Sequence, residues 1–517
     1  MIEKIRKINV VALVSALYFS LVWITYFYLS MSVDKKLNAF IFLLILGLSY
    51  PIIKAIVKKL QEVKICNLSN ITLKGKILVF SISAVFVFIV LLLWFFAYYP
   101  GSFSPDSIGQ YSQVITGEYG DWHPVWHTFL FFTIPITLFK NPAAIVIMQI
   151  IYFSLVIGYL ALVVFEMSNI KVTITTILFI MLNPYTGYIL LYPWKDVAFS
   201  MGGLLSGVIV IKLLSKKESI KIVEIILFSI VLISTTLFRH NAILYTLPLL
   251  LVFIISLNDK KKSLYLVCCS VVFLLIIKVA FYGYLGVEKP GKRVIESTGL
   301  PLTVIGNVAK ETPELMDEEL SDFVYTIATP EQWQESYYCG DFNSIKWAGA
   351  KLDIVEEKGF FGMIHLMNKC FVLSPHASFE ALFALTDMVY GFETGLEGNV
   401  GAGIKENDYG IAYPEVPDPI FQNIQHSIVA WNDFVNCTIF KYFRTYGVCL
   451  FALILVYLSK LTIKDISSIK KTLMVIPLLA YDFGTMILLT GPDSRFFFIT
   501  FLLTPLLIVY SFHKGEV

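Results

Sequence analysis

The stretch ILVFSISAVFVFIVLLLWFFAYY, residues 77–99, contains no charged residue, and the loop PGSFSPDSIGQYSQVITGEYGDWHPVWHT, residues 100–128, follows it directly. A run of 23 apolar and uncharged residues is long enough to cross ~30 Å of hydrocarbon as a helix. The ionisable side chains of the loop include Asp106, Asp121, His123 and His127. The apolar run predicts a membrane helix, and the loop after it is the first candidate for function.

The composition of the whole chain agrees with this stretch. Of its 517 residues, 57% are hydrophobic and only 15% are charged, and the mean hydropathy is +0.74. Charge-free runs of span length recur, so we predict an all-α polytopic membrane protein. The seven cysteines form no paired CxxC pattern and provide no metal framework, although Cys339 and Cys370 could form a disulfide if both lie outside the cell.

Charge is unevenly distributed along the chain. Residues 287–438 carry 23 acidic and 9 basic residues, a net charge of −14, which leaves +16 for the remainder. Basic residues concentrate in cytoplasmic loops, so we expect segments 1–7, 54–76 and 460–471 inside. Both termini are then cytoplasmic and the acidic segment is extracytoplasmic. No Lys/Arg cluster typical of a nucleic-acid surface is present, and no nucleic-acid partner is expected.

Hydropathy and charge together predict about 12 crossings, within a range of about 11–13, plus juxtamembrane helices and one extracytoplasmic domain. The predicted spans lie near 8–30, 37–57, 77–98, 142–165, 171–192, 196–214, 222–238, 240–257, 263–285, 439–459, 472–490 and 495–512. Segment 124–139 is short, contains a proline, and is predicted not to cross. The predicted division is a transmembrane module at 1–286 with a catalytic loop at 99–141, the acidic extracytoplasmic domain at 287–438, and C-terminal transmembrane helices at 439–517.

The first loop allows two interpretations of Asp106. It either caps a short helix that starts beside Ser107, or it acts as a general base at the lipid–water boundary. His123 and His127 are four residues apart, so a helix would carry them on one face. There they would pack, bind an anion or ligate a metal, but the absence of an HExxH motif argues against a zinc hydrolase. We count Asp121 and both histidines as candidate substrate-binding residues.

The WKD stretch at 194–196 contains a second candidate pair. Lys195 either extends to the membrane interface beside aromatic residues or binds a phosphate. Asp196 either caps its helix or, together with Asp106, holds a divalent cation. Carboxylate oxygens suit Mg²⁺ or Mn²⁺, so one of these ions is the expected cofactor if a metal is used.

Two further short polar segments, 239–241 and 491–495, fall on the extracytoplasmic side in this topology. Arg239 and His240 stand between two apolar runs, where a charge is unfavourable unless it is paired or hydrated. They either form a polar hairpin turn or bind a lipid-linked phosphate, which arginine contacts with two parallel hydrogen bonds. Arg495 either pairs locally with Asp493 or contacts the phosphate.

These motifs resemble those of GT-C membrane glycosyltransferases. The shared features are a lone aspartate in a long first external loop, a His-Pro before the next helix, and a second aspartate ahead of a later span. The nearest relatives by this pattern are the protein O-mannosyltransferase and aminoarabinose-transferase group. More closely, PDS at 105–107, WHP at 122–124, WKD at 194–196 and RHN at 239–241 are similar to a large, poorly characterised family of bacterial multi-span proteins.

The resemblance implies an inverting transfer of a sugar from a polyprenyl-phosphate donor to an extracytoplasmic hydroxyl. Asp106 is implied as the base, and Arg239, with Lys195 or Arg495, as the group that stabilises the leaving phosphate. The implied partners are the lipid bilayer, the donor, and a cell-wall polysaccharide, teichoic acid or glycolipid acceptor. His123 departs from the family pattern, because several relatives have Lys-Pro-Pro where this chain has His-Pro.

Two other function classes stay open at this point. A transporter or flippase of lipid-linked sugars would carry functional charges near the bilayer midplane, where Lys278 and Asp482 are the notable ionisable residues. A structural partner in envelope assembly would leave its external acids and cations apart from one another. Convergence of Asp106, Asp196 and Arg239 would favour the enzyme.

Overall fold

A computed structural model describes residues 9–31, 35–63, 65, 71–216, 219–257, 259–289, 291, 294–393, 402–461 and 470–513. These residues are mostly helical and contain isolated β-bridges but no strand. The chain is therefore an all-α, multi-pass membrane protein, and this part of the prediction is confirmed. Segment 1–7 and parts of segments 54–76 and 460–471, on which the predicted orientation depends, lie outside the described residues.

The helices of the N-terminal half are α1 (Val10–Met31), α2 (Lys35–Glu62), α3 (Leu73–Ala97), α4 (Pro105–Thr116), α5 (Val125–Phe139), α6 (Ala143–Met167), α7 (Ile170–Met181), α8 (Pro184–Leu190), α9 (Lys195–Leu214), α10 (Ile222–Phe238), α11 (His240–Ser256) and α12 (Lys260–Tyr284). The acidic segment contains α13 (Val294–Ser297), α14 (Gly299–Glu311), α15 (Glu318–Ile327), α16 (Pro330–Ser336), α17 (Asn343–Trp347), α18 (Asp353–Leu373), α19 (Pro375–Tyr390) and α20 (Pro419–Asn436). The last three helices are α21 (Tyr446–Leu461), α22 (Ile476–Leu488) and α23 (Phe498–Phe512).

Among the described residues, eight helical segments are long and apolar enough to cross a membrane, and a bent pair of helices would make a ninth. That pair is α7 and α8, which meet at an angle of 62° within the span predicted at 171–192. Pro184 causes the bend, because it lacks a backbone N–H and drives the preceding residue out of the helical conformation. Asn183 then caps α8, with its Oδ1 accepting a hydrogen bond from Tyr185 N at 3.1 Å.

Two helices form the centre of the membrane region. In an apolar 18-residue stretch of α9, and in one of α23 together with the 3₁₀ turn before it, 78% of the residues are buried. In the corresponding stretches of α2 and α12, only 17% of the residues are buried. The outer faces of α2 and α12 therefore contact lipid, whereas α9 and α23 pack against protein on most sides. The N-terminal ends of these two central helices carry Asp196 and Arg495.

The acidic segment has a hydrophobic core of its own. Buried residues between 302 and 381 form one cluster, in which Tyr337 Oη donates to the carbonyl of Thr303 at 2.6 Å. Further along the segment, Leu385, Met388 and Ile428 belong instead to the main cluster of the membrane helices. The later part of the segment is therefore packed directly on the membrane region.

The contact between α3 and α8 generates a test of the fold. Gly187 lies against the Trp94 ring so closely that a Cβ would overlap it, and Trp94 is itself packed edge-on against Tyr188 at 4.8 Å. We expect Gly187→Ala to destabilise the purified protein by about 1–3 kcal/mol through overpacking. Thermal unfolding in detergent measures the change.

The matched control is Gly47→Ala, because Gly47 lies in α2 and a Cβ added there would meet no atom within 4 Å. This variant is expected to unfold at the same temperature as the wild-type protein or slightly above it. Equal unfolding temperatures for Gly187→Ala and Gly47→Ala would contradict the packing of α3 against α8.

Candidate active site

Asp196 is the centre of a buried group of charges. It lies in the first turn of α9, and none of its side chain is exposed. Its Oδ1 is 3.0 Å from Arg239 Nε and its Oδ2 is 3.5 Å from Arg495 Nε. The N-terminal end of a helix favours a negative charge, but a fully buried carboxylate also needs cationic partners. The two arginines provide that compensation.

Arg239 is held on several sides. It ends α10, and its Nη1 donates a hydrogen bond to Tyr481 Oη at 2.6 Å. Tyr481 Oη donates in turn to the carbonyl of Phe496 at 2.8 Å, and the guanidinium carbon of Arg239 lies 4.1 Å from the centre of the Phe496 ring. Arg239 therefore joins α9, α22 and the turn before α23.

Arg495 contacts three carboxylates. Its Nε lies 2.9 Å from Asp493 Oδ2, and its backbone N–H donates to Asp493 Oδ1 at 3.1 Å, so the predicted local pair is present. The same side chain also reaches Asp196, and its Nη1 lies 3.6 Å from Asp106 Oδ2. The guanidinium group stacks over Trp194 at 4.9 Å. Arg495 thus connects the buried charges to the predicted catalytic loop.

Asp106 is in the first turn of α4 but does not cap it. Ser104 is the N-cap, its hydroxyl accepting from Ser107 N at 3.4 Å and from Trp194 Nε1 at 2.7 Å. The capping interpretation of Asp106 is therefore wrong, because a serine already occupies that position. One third of the Asp106 side chain, 33%, is exposed, and Arg495 is its only ion-pair partner among the described residues.

Lys195 adds a third cation to the group. Its Nζ lies 3.3 Å from His123 Nδ1, and no carboxylate oxygen of the described residues lies within 4.0 Å of it. Burial and the charge of Lys195 lower the pKa of His123 to about 4, so the imidazole is neutral near pH 7. A neutral ring can accept a hydrogen bond from the lysine and thereby orient it.

The two histidines of the first loop do not share a helical face. Helix α5 begins at Val125 with Pro124 as its N-cap, so His123 precedes the helix and only His127 belongs to it. The prediction of one shared face is wrong because Pro124 delays the helix start. His127 is fully buried, and its Nδ1 lies 2.7 Å from Gln110 Oε1 on α4.

Two other predicted residues lie beside the group and not in it. Asp121 forms an ion pair with Lys278 of α12, with Oδ2 and Nζ 2.8 Å apart. His240 is exposed, and its Nε2 lies 3.3 Å from the carbonyl oxygen of Trp122. Both contacts attach the predicted catalytic loop to neighbouring segments of the membrane region.

The predicted metal ligands, Asp106 and Asp196, do not fit a divalent cation between them. Both face Arg495, and both oxygens of Asp196 point at arginines. Among the described residues, no group of three or more His, Cys, Asp or Glu side chains could hold a metal ion. The need for Mg²⁺ or Mn²⁺ stays a prediction, and no step proposed below passes through a metal.

No protein-family model, curated protein or solved structure matches this chain. The interpretation of the site therefore rests on its own geometry and on the motifs.

The acidic segment also contacts the site, which the sequence did not indicate. Asn343 N donates to the carbonyl of Thr490 at 3.2 Å, in the turn that leads to Arg495. A Cβ added to Gly299 would overlap the carbonyl of Leu489, and a Cβ added to Gly491 would overlap the side chain of Asp341. No motif marks these positions. Tyr481 was missed for the same reason, because one tyrosine in an apolar helix carries no signal.

Asp196→Asn tests the buried charges. The substitution keeps the size of the side chain but leaves Arg239 without its carboxylate partner, and it removes the fully buried one of the three carboxylates that Arg495 contacts. We expect a loss of about 3–5 kcal/mol in the free energy of unfolding. Thermal unfolding of the purified protein is the measurement, with Asp433→Asn, an exposed aspartate on α20, as control. Equal unfolding temperatures for the two variants would contradict the role given to Asp196.

Proposed function

We propose that the chain is a GT-C-type membrane glycosyltransferase. It transfers a sugar from a polyprenyl-phosphate donor to a hydroxyl group of an extracytoplasmic cell-envelope acceptor. The observation that carries the proposal is the position of Asp106, a partly exposed carboxylate that Arg495 connects to a buried group of charges. These charges come from segments far apart in the sequence, as expected of an assembled active site.

The proposed topology adds three shorter apolar helices, α10, α11 and α21, to the eight long spans and the bent pair. The total is about twelve crossings, with α5 not crossing, because a thirteenth crossing would place the two termini on opposite sides of the membrane. Both termini are then cytoplasmic, and the site and the acidic segment are extracytoplasmic. The acceptor, a cell-wall polysaccharide, teichoic acid or glycolipid, approaches from this side.

Asp106 acts as the general base in the proposed reaction. Its carboxylate takes the proton from the acceptor hydroxyl while that oxygen bonds to the anomeric carbon of the sugar. The bond from the anomeric carbon to the phosphate oxygen breaks, and its electron pair leaves with the phosphate. Attack from the side opposite the phosphate inverts the anomeric configuration. The exposure of Asp106 supports this role, because a base must reach the hydroxyl group.

Lys195 is the proposed contact of the leaving phosphate. In contrast to Arg239 and Arg495, it has no carboxylate within 4.0 Å in the described part of the chain. Neutral His123 orients its ammonium group, which stabilises the charge that develops on the phosphate. Arg239 is a positioning residue in this scheme, because Asp196 and Tyr481 already occupy two of its nitrogens.

A transporter or flippase of lipid-linked sugars is the second candidate. Asp482 of α22 favours it, because this carboxyl is fully buried within a membrane helix and its only hydrogen bond among the described residues comes from Thr500 Oγ1 at 2.6 Å. Ionisable residues within spans often mark transport pathways. A transporter would move the lipid-linked sugar without releasing polyprenyl phosphate, so product formation separates the two candidates.

Release of polyprenyl phosphate therefore tests the proposal. Purified protein is incubated in vesicles with a panel of polyprenyl-phosphate hexoses and pentoses and an envelope-glycan acceptor. We expect the wild-type protein to release polyprenyl phosphate from one of these donors. Asp106→Asn should lower the rate about 10²–10⁴-fold, because the amide cannot take the hydroxyl proton.

The control is Glu118→Gln, an exposed carboxylate in the same loop, which should keep the wild-type rate. Full activity of Asp106→Asn would show that this residue is not the base. Translocation of the lipid-linked sugar without any release of polyprenyl phosphate would replace the transferase proposal by the transporter.

A further inference from the structure

A cavity of about 430 Å³ lies at the C-terminal end of α12, beside the catalytic loop and separate from the buried charges around Asp196. Its polar lining consists of Asp121, Lys278, Tyr282, Glu288 and Lys289. None of these residues has a part in the proposed transfer reaction.

The walls of the cavity are fixed by main-chain hydrogen bonds. Asp121 N donates to the carbonyl of Glu288 at 3.0 Å, and Glu288 N donates to the carbonyl of Tyr119 at 2.8 Å. The ion pair between Lys278 and Asp121 joins the same two segments through their side chains. The cavity is therefore built by contacts between α12, the segment that follows it, and the catalytic loop.

The position of Lys278 indicates that the ligand comes from the membrane. Helix α12 faces lipid, and Val279 and Tyr284 beside the cavity are 66% and 86% exposed. A charge in such a helix is unfavourable and marks a functional position by default. Lys278 Nζ stacks 4.4 Å from the centre of the Tyr282 ring, and 37% of its side chain is still exposed to a ligand.

The charges of the lining indicate which headgroup fits. Lys278 and Lys289 are balanced by Asp121 and Glu288, so the cavity has no net charge. A purely anionic lipid, such as a polyprenyl phosphate, would meet repulsion from the carboxylates. A zwitterionic headgroup presents a phosphate to the lysines and an ammonium group to the exposed Glu288.

We propose that this cavity binds the phosphoethanolamine headgroup of a bilayer phospholipid, with the phosphate against Lys278 and Lys289 and the amine against Glu288. The bound lipid contacts residue 121 of the catalytic loop, two positions before His123. It therefore stabilises the loop that orients Lys195. This effect on turnover rests on the proposed function, whereas the binding itself does not.

Native mass spectrometry of the full-length protein tests the binding. The protein is titrated with phosphatidylethanolamine, phosphatidylglycerol and a phosphate-free diglucosyl diacylglycerol. We expect preferential retention of phosphatidylethanolamine, and about tenfold weaker retention in the Glu288→Gln/Lys289→Gln variant. Both side chains are exposed, and neither belongs to the Lys278–Asp121 pair, so this variant should fold normally.

Lys140→Gln, which changes an exposed lysine at the end of α5, is the matched control and should retain the lipid as the wild type does. Equal retention of all three lipids, or unchanged retention in the double variant, would overturn the proposal. Displacement of the phospholipid by inorganic phosphate would also overturn it, because the cavity would then recognise phosphate and not a lipid headgroup.

Discussion

The ion pairs of Asp196 are the constraint on which the rest of the site depends. A carboxylate with no exposed surface at the start of α9 requires opposite charge within a few ångströms, and Arg239 and Arg495 supply it from two other segments. This requirement brings the end of α10 and the turn before α23 to the start of the central helix α9. Arg495 then extends the charged group to Asp106 on α4. Asp106, the proposed base, is thus positioned by a residue that is itself held by a buried charge.

The acidic segment has a structural part in this arrangement. Gly299 packs against the backbone of Leu489, and Asn343 N donates a hydrogen bond to the carbonyl of Thr490, just before Arg495. The turn before α23 is therefore held both by the membrane region and by the acidic segment. The cavity beside Lys278 lies between Glu288 and Lys289 of the acidic segment and Asp121 of the predicted catalytic loop, apart from the charges around Asp196.

The sequence predicted the helical membrane class and the position of each long apolar helix in the described part of the chain, because charge-free runs of this length have few alternative structures. The predicted topology also put segments 106–127, 193–196, 239–241 and 491–495 on one side of the membrane. The structure brings the charged side chains Asp106, Asp196, Arg239 and Arg495 of these segments together. The caps and first residues of the helices were harder to predict from the sequence. Ser104 and Asp106 are both good helix caps, and Pro124 shifted the start of α5 beyond His123. Contacts between distant segments, such as those of Tyr481, leave no pattern in a single sequence.

Cryo-electron microscopy of the full chain with a short polyprenyl phosphate would show whether these charges form one site for a lipid-linked phosphate. We expect a phosphate oxygen about 3 Å from Lys195 Nζ, with the carboxylate of Asp106 facing the same space and the pairing of Asp196 with both arginines intact. A phosphate bound elsewhere, with Lys195 still against His123 and Asp106 closed off by Arg495, would contradict it.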